Sequence, residues 1–285
     1  LSGNLYAGKS DELQQCGCDS ADRWMCRLSG VQKSIDGRTR MELRRLEEQE
    51  HQKTRKLWEE VFSDDTRAFL DYYYFIKTRE NEIWVIEEDG EIQSMLQLNP
   101  YQLQVAEHPF LCRYIIAVAT RAQYRSRGYM SSLLRKAMQE MYGKKEPFTF
   151  LMPAAEAIYT PYDFRFVYSQ RQAVFEKKAE TELIEEEDAT MFQAEELAAF
   201  AKERLFGTAR VYAVRDAHYY QTRVLEQQSE NGGIRMLKKD GKLVGIYCYA
   251  KEETCEVLEP LILPGYETVF WDSISGLSEK PVKVL

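Results

Sequence analysis

The sequence predicts a mixed α/β fold built from two consecutive units of similar design. Three observations predict it: helical spacing covers two segments before residue 80, a hairpin with an Asp-Gly turn follows at residues 82–98, and the same order of elements returns after residue 169. A helix pair followed by antiparallel strands requires a mixed sheet covered by helices. At roughly 150 residues per domain, the 285 residues are sufficient for two domains.

In the first half, the helix pair precedes an antiparallel meander, and a strand–helix–strand segment follows. Helical spacing covers residues 47–62 and then continues through Phe75, with Ser63, Asp64 and Asp65 as candidate N-caps of the second helix. The aromatic run at residues 72–75 fits either a buried helix face or the wall of a ligand pocket. The remaining predicted elements are strands at residues 82–86, 92–98, 103–105, 111–119 and 148–152 and a helix at residues 128–141.

The second half shows two helical segments, at residues 192–204 and 217–228, before a hairpin around Asp240-Gly241 and a strand at residues 256–262. The hairpin sequences IWVIEEDG (residues 83–90) and IRMLKKDG (residues 234–241) are similar. An internal repeat and a chance similarity of two hairpins both explain this. The predicted domains are therefore residues 41–168 and 169–285. Residues 1–40 lack a sustained period and are treated as an extension or leader outside the fold.

Composition restricts the partners and the compartment. The net charge of −8 disfavours nucleic acid and suits a cationic small molecule, although such a charge also serves solubility alone. No apolar run is long enough for a membrane span and no signal peptide is recognisable, so a cytoplasmic protein without membrane contact is expected. Cys16, Cys18 and Cys26 cluster, but no fourth ligand has finger-like spacing, so free thiols and no metal are expected.

The segment at residues 117–134 carries the main functional pattern. An apolar strand ends near Thr120, a polar loop with Arg125 and Arg127 follows, and Gly128 opens an amphipathic helix. The unpaired N–H groups of a helix N-terminus favour an anion, and a glycine there lets a phosphate approach the backbone. Arginines add charge-assisted hydrogen bonds. Taken alone, these residues fit both a pyrophosphate site and a solvated loop.

This segment resembles the cofactor loop of the GNAT acyltransferase superfamily, which reads Arg/Gln-x-x-Gly-x-Gly/Ala between a strand and a helix. Here it is RSRGYM at residues 125–130, with Met130 in place of the small residue. The wider pattern is similar to Eis-like N-acetyltransferases, whose Val-Ala-Thr-x-x-x-Tyr-Arg-x-Arg-Gly loop matches VATRAQYRSRG at residues 118–128. Their second landmark, Ile-Tyr-x-x-x-Gly-Phe, matches IYTPYDF at residues 158–164, where Asp163 replaces the glycine.

The resemblance implies tandem GNAT-like acyltransferase domains, with acetyl-CoA as co-substrate of the first domain only, because the second half has no comparable loop. Tyr159 takes the position of the family's general acid, and Glu156 is a candidate base or amine-binding carboxylate. A packed aromatic and a solvated turn residue are their structural alternatives. In Eis-like proteins the base is the C-terminal carboxylate of a third, sterol-carrier-like domain, and this chain ends at Leu285, near where that domain would begin. The residues implied to bind the cofactor are Val118, Ala119, Thr120, Arg125, Ser126, Arg127, Gly128, Tyr129 and Met130.

The implied function is acetyl transfer from acetyl-CoA to a primary amine of a small, cationic acceptor. Two alternatives stay open: a non-catalytic sensor of an acyl-CoA or a partner, and a transferase on the same tandem fold that takes an aminoacyl group from transfer RNA. The predicted partner is a small-molecule amine, with no nucleic acid and no membrane, and a homo-oligomer is left open.

Overall fold

The computed structural model describes residues 4–9, 41–175, 184–251 and 254–285, which form two mixed sheets with helices on their faces. The strands are β1 (Asn4–Lys9), β2 (Met41–Arg45), β3 (Glu82–Glu88), β4 (Glu91–Val105), β5 (His108–Thr120), β6 (Phe148–Leu151), β7 (Arg165–Ser169), β8 (Ala173–Phe175), β9 (Glu185–Asp188), β10 (Val211–Ala213), β11 (Gly233–Lys239), β12 (Lys242–Lys251), β13 (Cys255–Ile262) and β14 (Val282–Val284). The α-helices are α1 (Arg55–Val61), α2 (Arg67–Phe75), α3 (Tyr129–Gly143), α4 (Glu156–Tyr159), α5 (Ala194–Leu205), α6 (Ala217–Ser229) and α7 (Glu267–Ser275).

The first sheet has the strand order β2-β3-β4-β5-β6-β1-β7. Its β5–β6 pair is parallel and covers only three positions, ending where Ile115 faces Leu151. Because β5 continues to Thr120 while β6 stops, the two strands part and leave an opening in the sheet. The buried face of α3, around Leu133 and Leu134, packs on one side of this sheet, and α1 and α2 pack on the other.

Residues 4–9 form a strand of the first sheet, although the sequence analysis left residues 1–40 outside the fold; the role of that segment as an extension or leader stays a prediction. Strand β1 pairs antiparallel with both β6 and β7. The sequence pattern missed it because a strand of six residues can be held by backbone hydrogen bonds to two neighbours without a long apolar period.

Strand β4 is one element of fifteen residues where two strands were predicted, at residues 92–98 and 103–105. Pro100, which cannot donate to a ladder, lies between the two predicted strands. Backbone groups of every second residue point to the same side of a strand. Gln102 and Ala106 lie two and six residues after Pro100, and their backbone groups bond on the side where β10 lies. On that side the pairing between β3 and β4 extends only as far as Leu98. Pro100 therefore has no β3 residue opposite it, and its missing N–H removes no ladder bond.

The predicted helix at residues 47–62 is divided into a 3-10 helix at Glu48–Thr54 and the α-helix α1. Its successor α2 is capped by Thr66, whose side chain accepts from the N–H of Phe69, and not by Ser63, Asp64 or Asp65. The Asp65 carboxylate instead accepts the indole N–H of Trp58 at 2.6 Å. A tertiary contact has thus taken the side chain that local sequence favours as a cap.

The second sheet, in the order β8-β14-β13-β12-β11-β9, repeats features of the first. Asp89-Gly90 and Asp240-Gly241 both have positive φ at both turn residues, as a two-residue hairpin turn requires. The next strand pair of each unit, β4–β5 and β12–β13, contains a bulge. The residue opposite the bulge is Leu96 in β4 and Tyr247 in β12, and each lies six residues after the glycine of its turn. This shared register favours an internal repeat over a chance similarity of hairpins. Helix α7 was not predicted from the sequence.

One strand of the second half of the chain belongs to the first sheet. Strand β10, which lies in the second half of the chain, pairs antiparallel with Leu103–Val105 of β4 in the first sheet. The division of the chain near Ser169 therefore stays a prediction, since β10 follows that point in the chain but belongs to the first sheet. No described helix is both long enough and apolar enough to span a bilayer.

His51 gives the fold a pH dependence that can be measured. Its ring is buried, with Nδ1 2.9 Å from the carbonyl oxygen of Thr78, and burial lowers its pKa below 6.5. The unfolded chain then binds more protons than the folded chain once the pH falls below about 6.5, so stability decreases on acidification. We expect Tm to fall between pH 7.5 and pH 5.5 and to fall less in His51→Gln. Equal falls in both proteins would contradict the assignment.

Candidate functional site

The loop between β5 and α3 forms an exposed turn at the N-terminus of the helix. Gly128 is the N-cap residue of α3 with φ +79°, and a Cβ placed on it meets no atom within 4 Å. Ser126 also has a positive φ, of +61°. No acidic residue lies in the first turn of α3. The free N–H groups of this turn therefore face open space beside a glycine, which is the geometry of an anion site.

Two arginine side chains border this turn. The Arg127 guanidinium lies 4.6 Å from the centre of the Tyr124 ring, with half of the side chain exposed. The Arg125 Nε donates to the carbonyl oxygen of Thr120 at 3.3 Å. Arg127 also lies 4.0 Å from Glu88, so this edge of the turn carries two guanidinium groups and one carboxylate.

The side chains of Tyr129 and Met130 are engaged by other parts of the fold. The Tyr129 hydroxyl donates to Glu88 at 2.6 Å, and its pKa rises to about 12 because the ring is buried and Glu88 is close. Met130 packs against the core cluster beneath α3. Its side chain therefore points away from the turn, which explains how this position accepts a large residue.

Glu88 and Tyr124 are site residues that the sequence prediction did not include. Glu88 holds the Tyr129 hydroxyl and lies 4.0 Å from Arg127, and Tyr124 stacks on both Arg127 and Tyr129. Tyr124 lies within the loop pattern and could have been selected as an aromatic beside two arginines. Glu88 is 41 residues from Tyr129, so no local signal identifies it.

The end of β5 is irregular beside the opening in the sheet. Ala117 and Val118 face the single residue Leu96, which makes a bulge, and Ala117 adopts φ +52°. A bulge removes a residue from regular strand pairing. Ala119 and Thr120 are held by Ser94, whose hydroxyl donates to the Ala119 carbonyl at 2.9 Å and lies 2.8 Å from the Thr120 hydroxyl. Val118 thus lies in the bulge, three residues beyond the last position at which β5 pairs with β6.

Tyr159 is located at the end of the short helix α4 rather than at a strand end. Its ring packs edge-on against Phe164 and belongs to the same buried cluster as Ile115 and Leu151, the last residues paired across the opening. Burial raises the pKa of Tyr159 to about 12. The phenol is therefore protonated at neutral pH and can donate a proton.

Glu156 and Asp163 flank Tyr159 in α4 and in the following turn. Glu156 is exposed in the first turn of α4, three residues before Tyr159. Asp163 has φ +63°, the left-handed conformation for which the resembling family uses glycine, and its carboxylate pairs with Arg165. Aspartate is among the residues that tolerate this conformation, so the turn keeps its geometry despite the replacement.

The second unit has different residues at the corresponding positions. Its bulge, opposite Tyr247, holds Glu259 and Pro260 where the first unit has Ala117 and Val118. Proline carries no N–H, so this bulge has no donor at the Val118 position. The loop to α7 is short, and the Gly265 N–H is already bound by the carboxylate of Glu267 at 2.9 Å.

Thiols and metal ligands give no second site among the described residues. There, no three His, Cys, Asp or Glu side chains come together as a metal-binding group. Cys112 is buried, and burial raises its pKa to about 12, which makes it a poor nucleophile. Cys16, Cys18 and Cys26 lie outside the described residues.

Comparison with known proteins agrees with this geometry. Residues 42–167 match the family model of the acetyltransferase (GNAT) domain. No curated protein sequence matches the chain significantly. Solved structures of similar fold include a probable N-acyltransferase from Enterococcus faecalis, a conserved protein of unknown function (14% identity, TM-score 0.72), a GCN5-related N-acetyltransferase from Anabaena variabilis (14%, 0.63) and Eis1 from Mycobacterium abscessus (13%, 0.57).

Each of these structures covers 86% of this chain, which extends the likeness over both units. The chain spans 65% of the length of each of them. At such low identities the likeness shows the fold, which is the tandem α/β arrangement predicted from the sequence. Residues 42–167 thus have the sequence pattern and the fold of a GNAT acetyltransferase domain.

Proposed function

We propose that this protein is an N-acetyltransferase that moves the acetyl group of acetyl-CoA to a primary amine of a small acceptor. One observation carries the proposal: the first unit combines, beside one opening in its sheet, a bulged strand, a buried phenol and an exposed glycine–arginine turn at a helix N-terminus. The second unit has Pro260 at its bulge and Glu267 at its helix start, which supports a single cofactor site, in the unit at residues 41–168.

The described residues fit the cofactor. The open space at Gly128 accepts a pyrophosphate against the N–H groups of α3, and Arg125 and Arg127 neutralise its charge. Acetyl-CoA supplies the acetyl group as a thioester. We assign Val118 as the backbone donor to the carbonyl oxygen on which negative charge develops.

Tyr159 is assigned as the general acid. The phenol, with a pKa of about 12, carries its proton at neutral pH and can donate it to the sulfur as the C–S bond breaks. Because an ordinary thiol has a pKa near 8.5, this transfer is uphill by about 3 pKa units, and the phenolate then recovers its proton from water. Glu156 is close along α4 and exposed, which suits it to accept the amine proton through water. The net charge of −8 supports a cationic acceptor, and the Eis-like loop and the likeness of fold to Eis1 support this subgroup.

Isothermal titration with acetyl-CoA tests the cofactor site. We expect binding below millimolar Kd in the wild type and about tenfold weaker binding in Arg127→Ala, because a charge-assisted bond to phosphate is lost. Arg135→Ala is the matched control, since this exposed arginine lies on α3 more than one turn beyond Gly128. Absence of binding, or an equal loss in both variants, would refute the site.

Release of free thiol over a panel of amines then separates the enzyme from a sensor. A transferase releases thiol only when an amine is present. Tight binding without release over the whole panel would favour the sensor.

A further inference from the structure

A line of charged and polar side chains connects the two units on the side of the first sheet opposite α3. We name it the seam cluster; it consists of Arg215, Glu259, Arg223, Glu226 and Tyr72. Arg215 Nη2 lies 3.2 Å from Glu259, and Arg223 joins Glu259 at 3.3 Å to Glu226 at 2.6 Å. The Tyr72 hydroxyl of α2 donates to the other oxygen of Glu226 at 3.3 Å.

The cluster begins at the bulge of the second unit. Glu259 has φ +56°, a conformation that is unfavourable for a residue other than glycine and persists only where its surroundings impose it. Its carboxylate accepts from the Tyr219 hydroxyl at 2.7 Å. Burial opposes its ionisation, but Arg223 and Arg215 outweigh burial and lower its pKa. An ionised carboxylate is therefore fixed at the position where the first unit has Ala117.

Arg223 is the link in the middle of this line. One guanidinium nitrogen serves Glu259 of β13 and the other serves Glu226 of α6. Only 15% of its side chain is exposed, so the bridge is largely shielded from water. A planar guanidinium can hold two carboxylates in fixed directions, which a lysine ammonium cannot reproduce.

The other end of the line is α2, which covers the first sheet on the face that α3 leaves free. Tyr72, Tyr73 and Tyr74 are all buried, so the aromatic run forms mainly a buried helix face, and Phe75 is exposed. Tyr73 donates to Asn99 of β4 at 3.2 Å. Because the proposed pyrophosphate site lies at the N-terminus of α3, we assign the acceptor's path to the opposite face of the sheet, where α2 lies.

We propose that Arg223 is a positioning residue for the acceptor: it joins the bulged strand of the second unit to Glu226 and Tyr72 and thereby fixes α2 beside the acceptor's path. This inference rests on the proposed acetyl transfer. It gives the second unit, which has no donor at its own bulge, a role in the chemistry of the first.

The test compares Arg223→Lys with Arg235→Lys. Arg235 is the matched control because it also bridges two carboxylates, Glu186 at 2.8 Å and Asp188 at 2.9 Å, with 20% of its side chain exposed at the far edge of the second sheet. We expect Arg223→Lys to raise the KM of the amine about tenfold and to leave the Kd of acetyl-CoA within about twofold. Tyr72→Phe should also raise the KM of the amine and leave the Kd of acetyl-CoA within about twofold. The KM of the double variant should not exceed that of Arg223→Lys alone, because Arg223 and Tyr72 act through the same line of contacts.

Hydrogen exchange of α2 amides gives a readout that needs no activity. Exchange at residues 67–75 should be faster in Arg223→Lys than in the wild type and unchanged in Arg235→Lys. Unchanged exchange in Arg223→Lys overturns the connection to α2, whatever the activity. Faster exchange with an unchanged amine KM overturns the role in acceptor binding, and a wild type that neither binds nor turns over acetyl-CoA refutes the proposed function itself.

Discussion

Replacing Tyr159 by phenylalanine is expected to lower kcat by about 100-fold or more while the Kd of acetyl-CoA stays within about twofold. The ring and its packing against Phe164 are kept, so only the proton donor is removed. Without it, the thiolate leaves unprotonated. Steady-state kinetics and calorimetry on the same preparations measure the two quantities.

The pH profile separates Tyr159 from other titrating groups. Because burial raises its pKa to about 12, this phenol keeps its proton up to pH 10 and beyond, and loses it only as the pH rises through about 12. The wild-type rate should therefore climb as the acceptor amine loses its proton, with no falling limb below about pH 10.5. Tyr162→Phe, at a half-buried tyrosine in the same turn, is the control. Comparable losses in both variants would argue for disturbed packing instead of acid catalysis.

The second large effect is expected at Gly128. Gly128→Ala places a methyl group where we assign the pyrophosphate and should weaken acetyl-CoA binding about tenfold or more. It also adds strain of about 1–2 kcal/mol, because alanine is unfavourable at φ +79°. Stability must therefore be measured beside affinity.

Gly90→Ala is the matched variant for that strain. Gly90 has φ +78° in the β3–β4 turn, and a Cβ placed there also meets nothing within 4 Å. Both variants should lower Tm by a few degrees, and only Gly128→Ala should lose affinity. If Gly90→Ala loses as much affinity, the effect comes from general destabilisation and the phosphate site is wrong.

The features that the sequence predicted are those set by local rules. The Asp89-Gly90 and Asp240-Gly241 turns were recognisable because two residues with positive φ favour this pair. The apolar face of α3 and the strand before it were recognisable from the periodic spacing of their hydrophobic residues. The opening in the sheet and the bulge at Ala117 were not predicted, because they depend on where β6 ends and on the register between β4 and β5.

Features set by distant contacts were not predictable in this way. The Asp65 carboxylate has the sequence context of a cap, yet Trp58 engages it, and Thr66 caps α2 instead. Glu88 joins the cofactor loop from the far end of a hairpin. The continuity of β4 through Pro100 was not predicted, because the sequence does not show that this side of β4 lacks a partner there. Each outcome depends on a neighbour that the fold supplies from elsewhere in the chain.

The pairing of β10 with β4 has a consequence for folding cooperativity. Val211–Ala213 covers the stretch of β4 that β3 leaves open, so the first sheet is finished only after the second half of the chain has folded. Denaturation by urea should then proceed in one transition for both units. A fragment ending at residue 170 would expose a bare sheet edge, and bare edges pair readily between molecules. We therefore expect the two units, although they repeat one architecture, to unfold together.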